Sequence, residues 1–218
     1  HLHKDIPVAG GMAGGSADAA AALVACDHLW SAGMSRDELA DLAAQLGSDV
    51  PFALSGGIAM GSGRGEQLAP VLARGSYHWV FALSQTGLST PEVYAECDRL
   101  RAQRRVPEPA PTASMMTALR AGDAGSLGRA LSNDLQPAAL SLQPRLAAVL
   151  ETGMEFGALG GIISGSGPTV AFLVADPERG LDLAVALTAS GAAPAVTRAI
   201  GPVHGAHVIT GPAGPRSS

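Results

Sequence analysis

The sequence predicts an α+β fold. Helix-like and strand-like stretches both recur, but without the regular alternation that a doubly wound sheet requires. Short apolar runs of strand character stand in pairs around glycine-rich turns at 61–65 and 165–168. Hydrophobic residues make up 47% of the 218 and charged residues 15%, too apolar for a disordered chain and enough for one large or two small domains.

Residues 1–7 alternate polar and apolar, a strand pattern already under way at the first residue. With no Met and no signal-peptide pattern there, the chain is expected to be truncated at its N-terminus. A glycine-rich loop at 10–16 leads into a helix over 17–30, rich in Ala, free of Gly and Pro, with Leu23, Cys26 and Trp30 on one face. Ser35, with Glu38 three residues on, forms a capping box for a helix that runs to Leu46 and stops at Gly47. Residues 48–56 read as a short turn-and-apolar segment and 57–72 as two short strands. A buried strand follows at 77–84, and Ser89-Thr90-Pro91 opens a helix to about Arg105. Residues 106–112 are a proline-punctuated linker. Helices are predicted at 113–121, 124–132, 142–156 and 178–190, strands at 158–164, 169–175 and 194–200, and a flexible tail at 211–218.

The composition excludes several function classes. Fourteen Lys and Arg against nineteen Asp and Glu leave a net charge of −5, which argues against a nucleic-acid-binding surface. Lys4 is the single lysine and has no Gly-Lys-Ser/Thr context, so a Walker-type phosphate loop is excluded. Cys26 and Cys97 cannot build a disulfide framework or a metal knuckle; both fall in helical stretches as small hydrophobes, and a reducing compartment is expected. No apolar run reaches the roughly 18 residues of a membrane helix. His1 and His3 share a strand face without a third ligand, and His204 and His207 read as surface residues near the C-terminus.

Three stretches carry chemistry. The first is Pro7-Val8-Ala9-Gly10-Gly11-Met12-Ala13-Gly14-Gly15-Ser16, where bare glycine N–H groups and the start of a helix converge on one point. Ser16 adds a hydroxyl, which makes a phosphate cradle without lysine; a plain glycine turn before a helix is the other reading. Asp18 is placed in that helix's first turn, where it favours the dipole or serves a metal. The second is Gly47-Ser48-Asp49-Val50-Pro51. The residue ahead of a proline avoids the α region, so Asp49, just before Val-Pro, reads as a restrained carboxylate able to act as base or orienting group for a hydroxyl, or as a turn or cap residue. The third is the run from Gly160 to Thr169, with Ser164-Gly165-Ser166-Gly167-Pro168 between two strands, either a site of close backbone approach to a ligand or a hairpin turn. Tyr94 sits one helical turn after Thr90.

In this order, the motifs resemble those of the GHMP small-molecule kinases. The resemblance rests on IPVAGGMAGGSADAAAAL at 6–23, LGSDVPFALSGGIAMGSGRGEQL at 46–68, LSNDLQPAALSL at 131–142 and GGIISGSGPTVAFL at 160–173, and it extends over essentially the whole chain. It implies a two-domain α+β kinase fold, with 1–75 the remainder of an N-terminal ATP-binding domain that lacks its first part and 76–210 the C-terminal domain. The implied activity is ATP-dependent phosphorylation of a hydroxyl on the methylerythritol portion of a cytidine-diphosphate-linked substrate, a step of non-mevalonate isoprenoid synthesis. By the same resemblance Asp49 is catalytic, Pro7 to Ser16 hold the ATP phosphates, Ser164, Gly165, Ser166 and Gly167 shape the active site, and Thr90 and Tyr94 lie near the cytidine diphosphate.

ATP and Mg²⁺ are the implied cofactors. Ser16 and Asp18 are suggested as metal ligands, without an assignment. The implied setting is a cytoplasmic monomer or homodimer with no nucleic-acid or membrane partner. A homoserine-kinase-like member, or a non-catalytic nucleotide-binding relative, stands as the alternative. The sequence departs from the family pattern in Ala9 and Ala13, where many relatives have glycine, and in Ala17, where serine is frequent. The family's Pro-x-Lys-x-Asn-Leu motif, whose lysine partners the catalytic Asp, is absent, and Lys4 lies too close to the glycine loop to replace it. The isolated 218-residue chain is therefore expected to be poorly active or inactive.

Overall fold

The computed structural model describes residues 3, 4, 6, 11–102 and 112–209. The chain separates into two compact units, neither contiguous in sequence. One gathers residues 15–70 with the segment from 203; the other gathers 71–202 with the residues up to 14. The expected single cut between 75 and 76 differs from this division, because the segment from 203 packs with residues 15–70.

In the smaller unit, helix α1 (Gly14–Trp30) begins three residues earlier than the sequence suggested, inside the glycine-rich stretch. Asp18 is consequently the fifth helical residue and no acid occupies the first turn. Helix α2 (Arg36–Leu46) has the expected capping box: Glu38 N–H donates to Ser35 Oγ at 3.3 Å, and Ser35 N–H donates to Glu38 Oε2 at 2.8 Å. Residues 48–56, read as a turn, contain helix α3 (Val50–Ser55), which tolerates Pro51 because its first turn needs no N–H donor there. A hairpin of β1 (Ala59–Ser62) and β2 (Gln67–Pro70) follows. Ala20, Leu39, Ala43, Val50 and Leu54 form the core. The far segment closes the unit through Gly57 N–H to Val203 O at 2.8 Å and Ala206 N–H to Ala53 O at 3.0 Å.

The larger unit is built on a four-stranded antiparallel sheet in the order β4-β5-β3-β6. Its strands are β3 (Tyr77–Leu83), β4 (Gly160–Ile163), β5 (Val170–Val174) and β6 (Ala195–Gly201), and its helices are α4 (Thr90–Arg101), α5 (Ala113–Ala121), α6 (Ala124–Ala130), α7 (Gln136–Leu142), α8 (Arg145–Glu155) and α9 (Pro177–Ala189). Every residue of β5 is buried, as its apolar run requires of a strand covered on both faces. Phe172 is fully buried in the core with Val80, Val93, Ile163, Leu183 and Leu187. A Cβ at Gly153 would fall on the Phe172 ring, which is why α8 carries a glycine in its interior.

A cap not foreseen in the sequence opens α9, where Asp176 Oδ1 accepts from Arg179 N–H at 2.8 Å. The helix expected over 142–156 starts three residues late, as α8 at Arg145, and a helix the sequence did not announce, α7, ends just before it at Leu142. Pro144 forces Gln143 out of the α region, to φ −137° and ψ 76°. His3, Lys4 and Ile6, expected in a strand, are not in one, and the remainder of that stretch, most of the 106–112 linker and the 211–218 tail lie outside the described residues. Cys97 is buried as expected, while Cys26 is only half-buried; both are free thiols.

Glu96 ties α4 to α7. Its carboxylate accepts from Arg99 Nε and Nη2 at 2.6 and 2.7 Å and from Ser141 Oγ at 2.6 Å. The Arg99 and Ser141 hydrogen bonds hold its pKa well below the carboxylate range, at about 2. A depressed folded-state pKa contributes stability that is complete above the unfolded value and is lost as pH falls through the folded one. In urea titrations between pH 4.5 and about 2, Glu96→Gln is therefore expected to flatten the acid-side fall of the unfolding midpoint; an unchanged slope would show that the triad adds nothing.

Candidate active site

The turn between β4 and β5 organises the site of the larger unit. Ser164 N–H donates to Thr169 O at 2.9 Å and Gly167 N–H to Ser164 O at 2.8 Å. Ser164 Oγ reaches across to donate to Gly11 O at 2.8 Å, so the two glycine-rich stretches meet. Gly11 holds φ +70°, and a Cβ there would lie 2.7 Å from Gly167 O and 2.8 Å from Ser164 O. Only glycine permits both the conformation and the approach. Thr90 Oγ1 and Ser166 Oγ share a hydrogen bond of 2.9 Å, which brings the start of α4 onto the same turn. Pro91 near its N-terminus fixes where that helix begins. Tyr94, one turn on, is 54% exposed, so its ring is not consumed by packing.

Two residues of this turn's support carry no sequence-level role. Asn133 Nδ2 donates to Ile163 O at 2.7 Å and to Gly165 O at 2.8 Å, while its Oδ1 accepts from Leu135 N–H at 2.9 Å. Gln136 Oε1 accepts from Ile163 N–H at 3.0 Å. Both stand in the 131–142 stretch on which the resemblance partly rests; an Asn and a Gln three apart, flanking a helix start, was the available signal. Asn133→Ala leaves two carbonyls without their side-chain donor and is expected to lower stability by about 1–3 kcal/mol. Asn133→Asp, an acceptor only when ionised, is expected to do no better at neutral pH. Urea midpoints for the two variants check this, and an Asp variant as stable as the parent would refute it.

The first turn of α1 presents Gly14, Gly15 and Ser16 with no acid among them. Among the described residues nothing lies within 4 Å of where a Cβ of Gly15 would be, while a Cβ at Gly14 would meet Ile6. The N-terminus of a 17-residue helix that starts on two glycines and a serine suits an anionic ligand. Just before it, Ala13 holds φ +51°, a conformation unfavourable for a residue with a Cβ; the departure from glycine noted in the sequence therefore falls on a position that glycine suits. Met12 is half-buried. Pro7, Val8, Ala9 and Gly10 lie outside the described residues.

Asp49 lies in the smaller unit, at the N-cap of α3, with φ −92° and ψ −10°. The expected restraint by proline does not apply to it: the residue ahead of Pro51 is Val50, and Asp49 is itself in the α region. Its side chain makes no capping bond. It is exposed. Its position instead follows from the tight packing of its neighbours, since Val50 is 2% exposed. Among the described residues no three His, Cys, Asp or Glu side chains gather to hold a metal ion. His204 and His207 are exposed, as expected.

A glycine-rich helix start of this kind, with an Asp on a short helix and a Ser-Gly-Ser-Gly turn, places the chain in a known class. Models of the GHMP kinases N terminal domain and the GHMP kinases C terminal domain match residues 1–57 and 115–193. The chain belongs to the GHMP kinase family. It is 58% identical over 209 residues to a 4-diphosphocytidyl-2-C-methyl-D-erythritol kinase of Thermobifida fusca, covering 96% of this chain and 67% of that one. It is 56% identical over 209 residues to the kinase of the same name from Streptomyces avermitilis, covering 96% and 70%. Among solved structures it resembles a 4-(cytidine 5'-diphospho)-2C-methyl-D-erythritol kinase with a TM-score of 0.76 at 32% identity, covering 91% of this chain and 69% of that one. The chain thus spans about two thirds of the length of these relatives. Among the described residues, no helix is long and apolar enough to cross a membrane.

Proposed function

We propose that the protein transfers the γ-phosphoryl group of ATP to a hydroxyl of 4-diphosphocytidyl-2-C-methyl-D-erythritol, in isoprenoid synthesis. The observation that carries this reading is the 58% identity, over 96% of the chain, to a relative of that name. Residues 1–75 would then belong to the ATP-binding domain and 76–210 to the C-terminal domain, of a cytoplasmic enzyme acting as monomer or homodimer.

In this reading Pro7 to Ser16 wrap the ATP phosphates, whose charge is met by backbone N–H groups and the positive end of α1. Asp49 accepts the proton of the acceptor hydroxyl as its oxygen bonds to the γ-phosphorus and the bond from phosphorus to the ADP oxygen breaks. Its exposed carboxylate, without a capping bond, suits that duty. Thr90, held to Ser166, and the open ring of Tyr94 would face the cytidine diphosphate, with the ring placed to stack on a nucleobase. Ser164, Gly165, Ser166 and Gly167 keep the backbone around Gly11 in place.

Phosphoryl transfer of this class uses Mg²⁺ to neutralise phosphate charge. Ser16 and Asp18, near the start of α1, are the residues that would help hold it.

The test is ADP release by the whole gene product with four acceptors: the cytidylylated methylerythritol, homoserine, mevalonate and galactose. Turnover with the first alone is expected. Turnover with another acceptor instead would keep the kinase and overturn the substrate. No turnover with any would leave a nucleotide-binding protein.

A further inference from the structure

The larger unit contains a pocket of about 650 Å³, open to solvent on one side, that the kinase reading does not use. It lies between the end of β3, the start of α8 and the turn that follows α9, and Pro168 and Val170 form part of its wall. Its lining contains one charged residue, Arg145, and no acid.

Arg145 is the first residue of α8, an 11-residue helix without a side-chain N-cap and without an acid in its first turn. Its Nη2 donates to Ser84 Oγ at 2.7 Å. The amide of the buried Gln143 lies beside the guanidinium; set with its oxygen toward it, the orientation in which donor does not face donor, it accepts from Nη2 at 2.7 Å and from Nε at 2.6 Å. Both partners are neutral. Among the described residues no carboxylate pairs with Arg145. Two neutral groups thus orient the guanidinium, which is exposed and has no carboxylate on it, and the Nη1 hydrogens remain to be used. The positive end of α8 acts in the same direction.

The other walls offer the complementary groups. Thr152 Oγ1 donates to Ala148 O at 2.8 Å, Thr188 Oγ1 to Ala184 O at 2.9 Å and Ser190 Oγ to Leu187 O at 3.2 Å. With its single hydrogen spent on its own helix, each hydroxyl shows the cavity lone pairs, and so accepts. One wall therefore donates with a positive charge while the others accept without charge.

We propose that this cavity is a binding site for a small anion that also carries hydroxyl or amino donors, with its acidic group on Arg145. Carboxylates and phosphate monoesters share that chemistry. An occupant would rest against Pro168, and so against the back of the turn that meets Gly11.

The test is NMR titration of the whole gene product, labelled at its threonine methyls, with glycerate, glycerol 3-phosphate and glycerol. Saturable shifts of Thr152 and Thr188 are expected with one or both anions and not with glycerol; the anion that acts distinguishes carboxylate from phosphate. Arg145→Gln is expected to weaken binding about tenfold or more, the loss of a charge-assisted hydrogen bond. Ala148→Leu, which keeps the arginine and fills the cavity from an exposed helical position, is expected to abolish the shifts. The proposal is overturned if glycerol shifts these methyls as the anions do, if the shifts survive in Ala148→Leu, or if neither anion moves them up to about 10 mM, beyond the millimolar range of weak specific binding. These resonances report on the cavity directly, so the result does not depend on which acceptor the kinase uses.

Discussion

Asp49→Ala is expected to lower kcat about 10²–10⁴-fold while leaving the fold intact, since a positioned proton acceptor contributes on that scale. The residue is exposed and makes no capping bond, so its removal is expected to change stability by less than about 0.5 kcal/mol. ATP affinity should hardly move, because in the proposed reading the phosphates are met by the glycine-rich stretch and α1 and not by Asp49. Asp49→Asn separates charge and proton acceptance from size: it keeps the shape and is expected to be nearly as slow as the alanine variant. Steady-state kinetics with saturating ATP, together with a urea midpoint, decide the matter. An Asp49→Ala enzyme within a few-fold of the parent in kcat would remove Asp49 from the chemistry.

Gly11→Ala is expected to have the second largest effect, by a different route. A side chain at φ +70° costs about 1–2 kcal/mol. Its Cβ would also press on the carbonyl oxygens of Gly167 and Ser164, neither of which can rotate away as a side chain can. Overpacking of that kind typically costs about 1–3 kcal/mol more. The expected result is a lower unfolding midpoint together with weaker ATP binding, as the bond from Ser164 Oγ to Gly11 O is lost. Gly15→Ala is the matched comparison. A Cβ there meets nothing within 4 Å, and alanine favours a helix by about 1 kcal/mol over glycine, so stability should hold or rise while ATP affinity falls. Calorimetric titration with ATP and urea unfolding of both variants separate the two effects. A Gly11→Ala protein with parental affinity and midpoint would show that the meeting of the two stretches is not needed.

Much of the fold was legible because the chain marks it locally. Ser35 and Glu38 mark the start of α2, and the apolar run of β5 announces a strand buried on both faces. The misses have physical causes. Helix α3 spans six residues, too short for periodicity to reveal, and it is held by the burial of Val50, Pro51 and Leu54. Helix α7 is seven residues, again too short for periodicity, and the late start of α8 was readable from Pro144 alone. The glycine-rich stretches were legible as motifs, but their meeting through Ser164 and Gly11 joins residues 153 positions apart and has no local signature. Asn133 and Gln136 act on the backbone of a distant strand, and the sequence shows only two amides.

The closure of the smaller unit by residues 203–206 sets an order of events during synthesis. Val203 and Ala206 bond to Gly57 and Ala53, which leave the ribosome some 150 residues earlier. Helices α1 to α3 can form as they emerge, but the unit that carries Asp49 stays incomplete until Ala206 has been translated. Closing so long a loop slows folding far more than it weakens the final state. A nonsense codon just before Val203 would spare every element of the larger sheet, yet it would leave Gly57 N–H and Ala53 O without their partners.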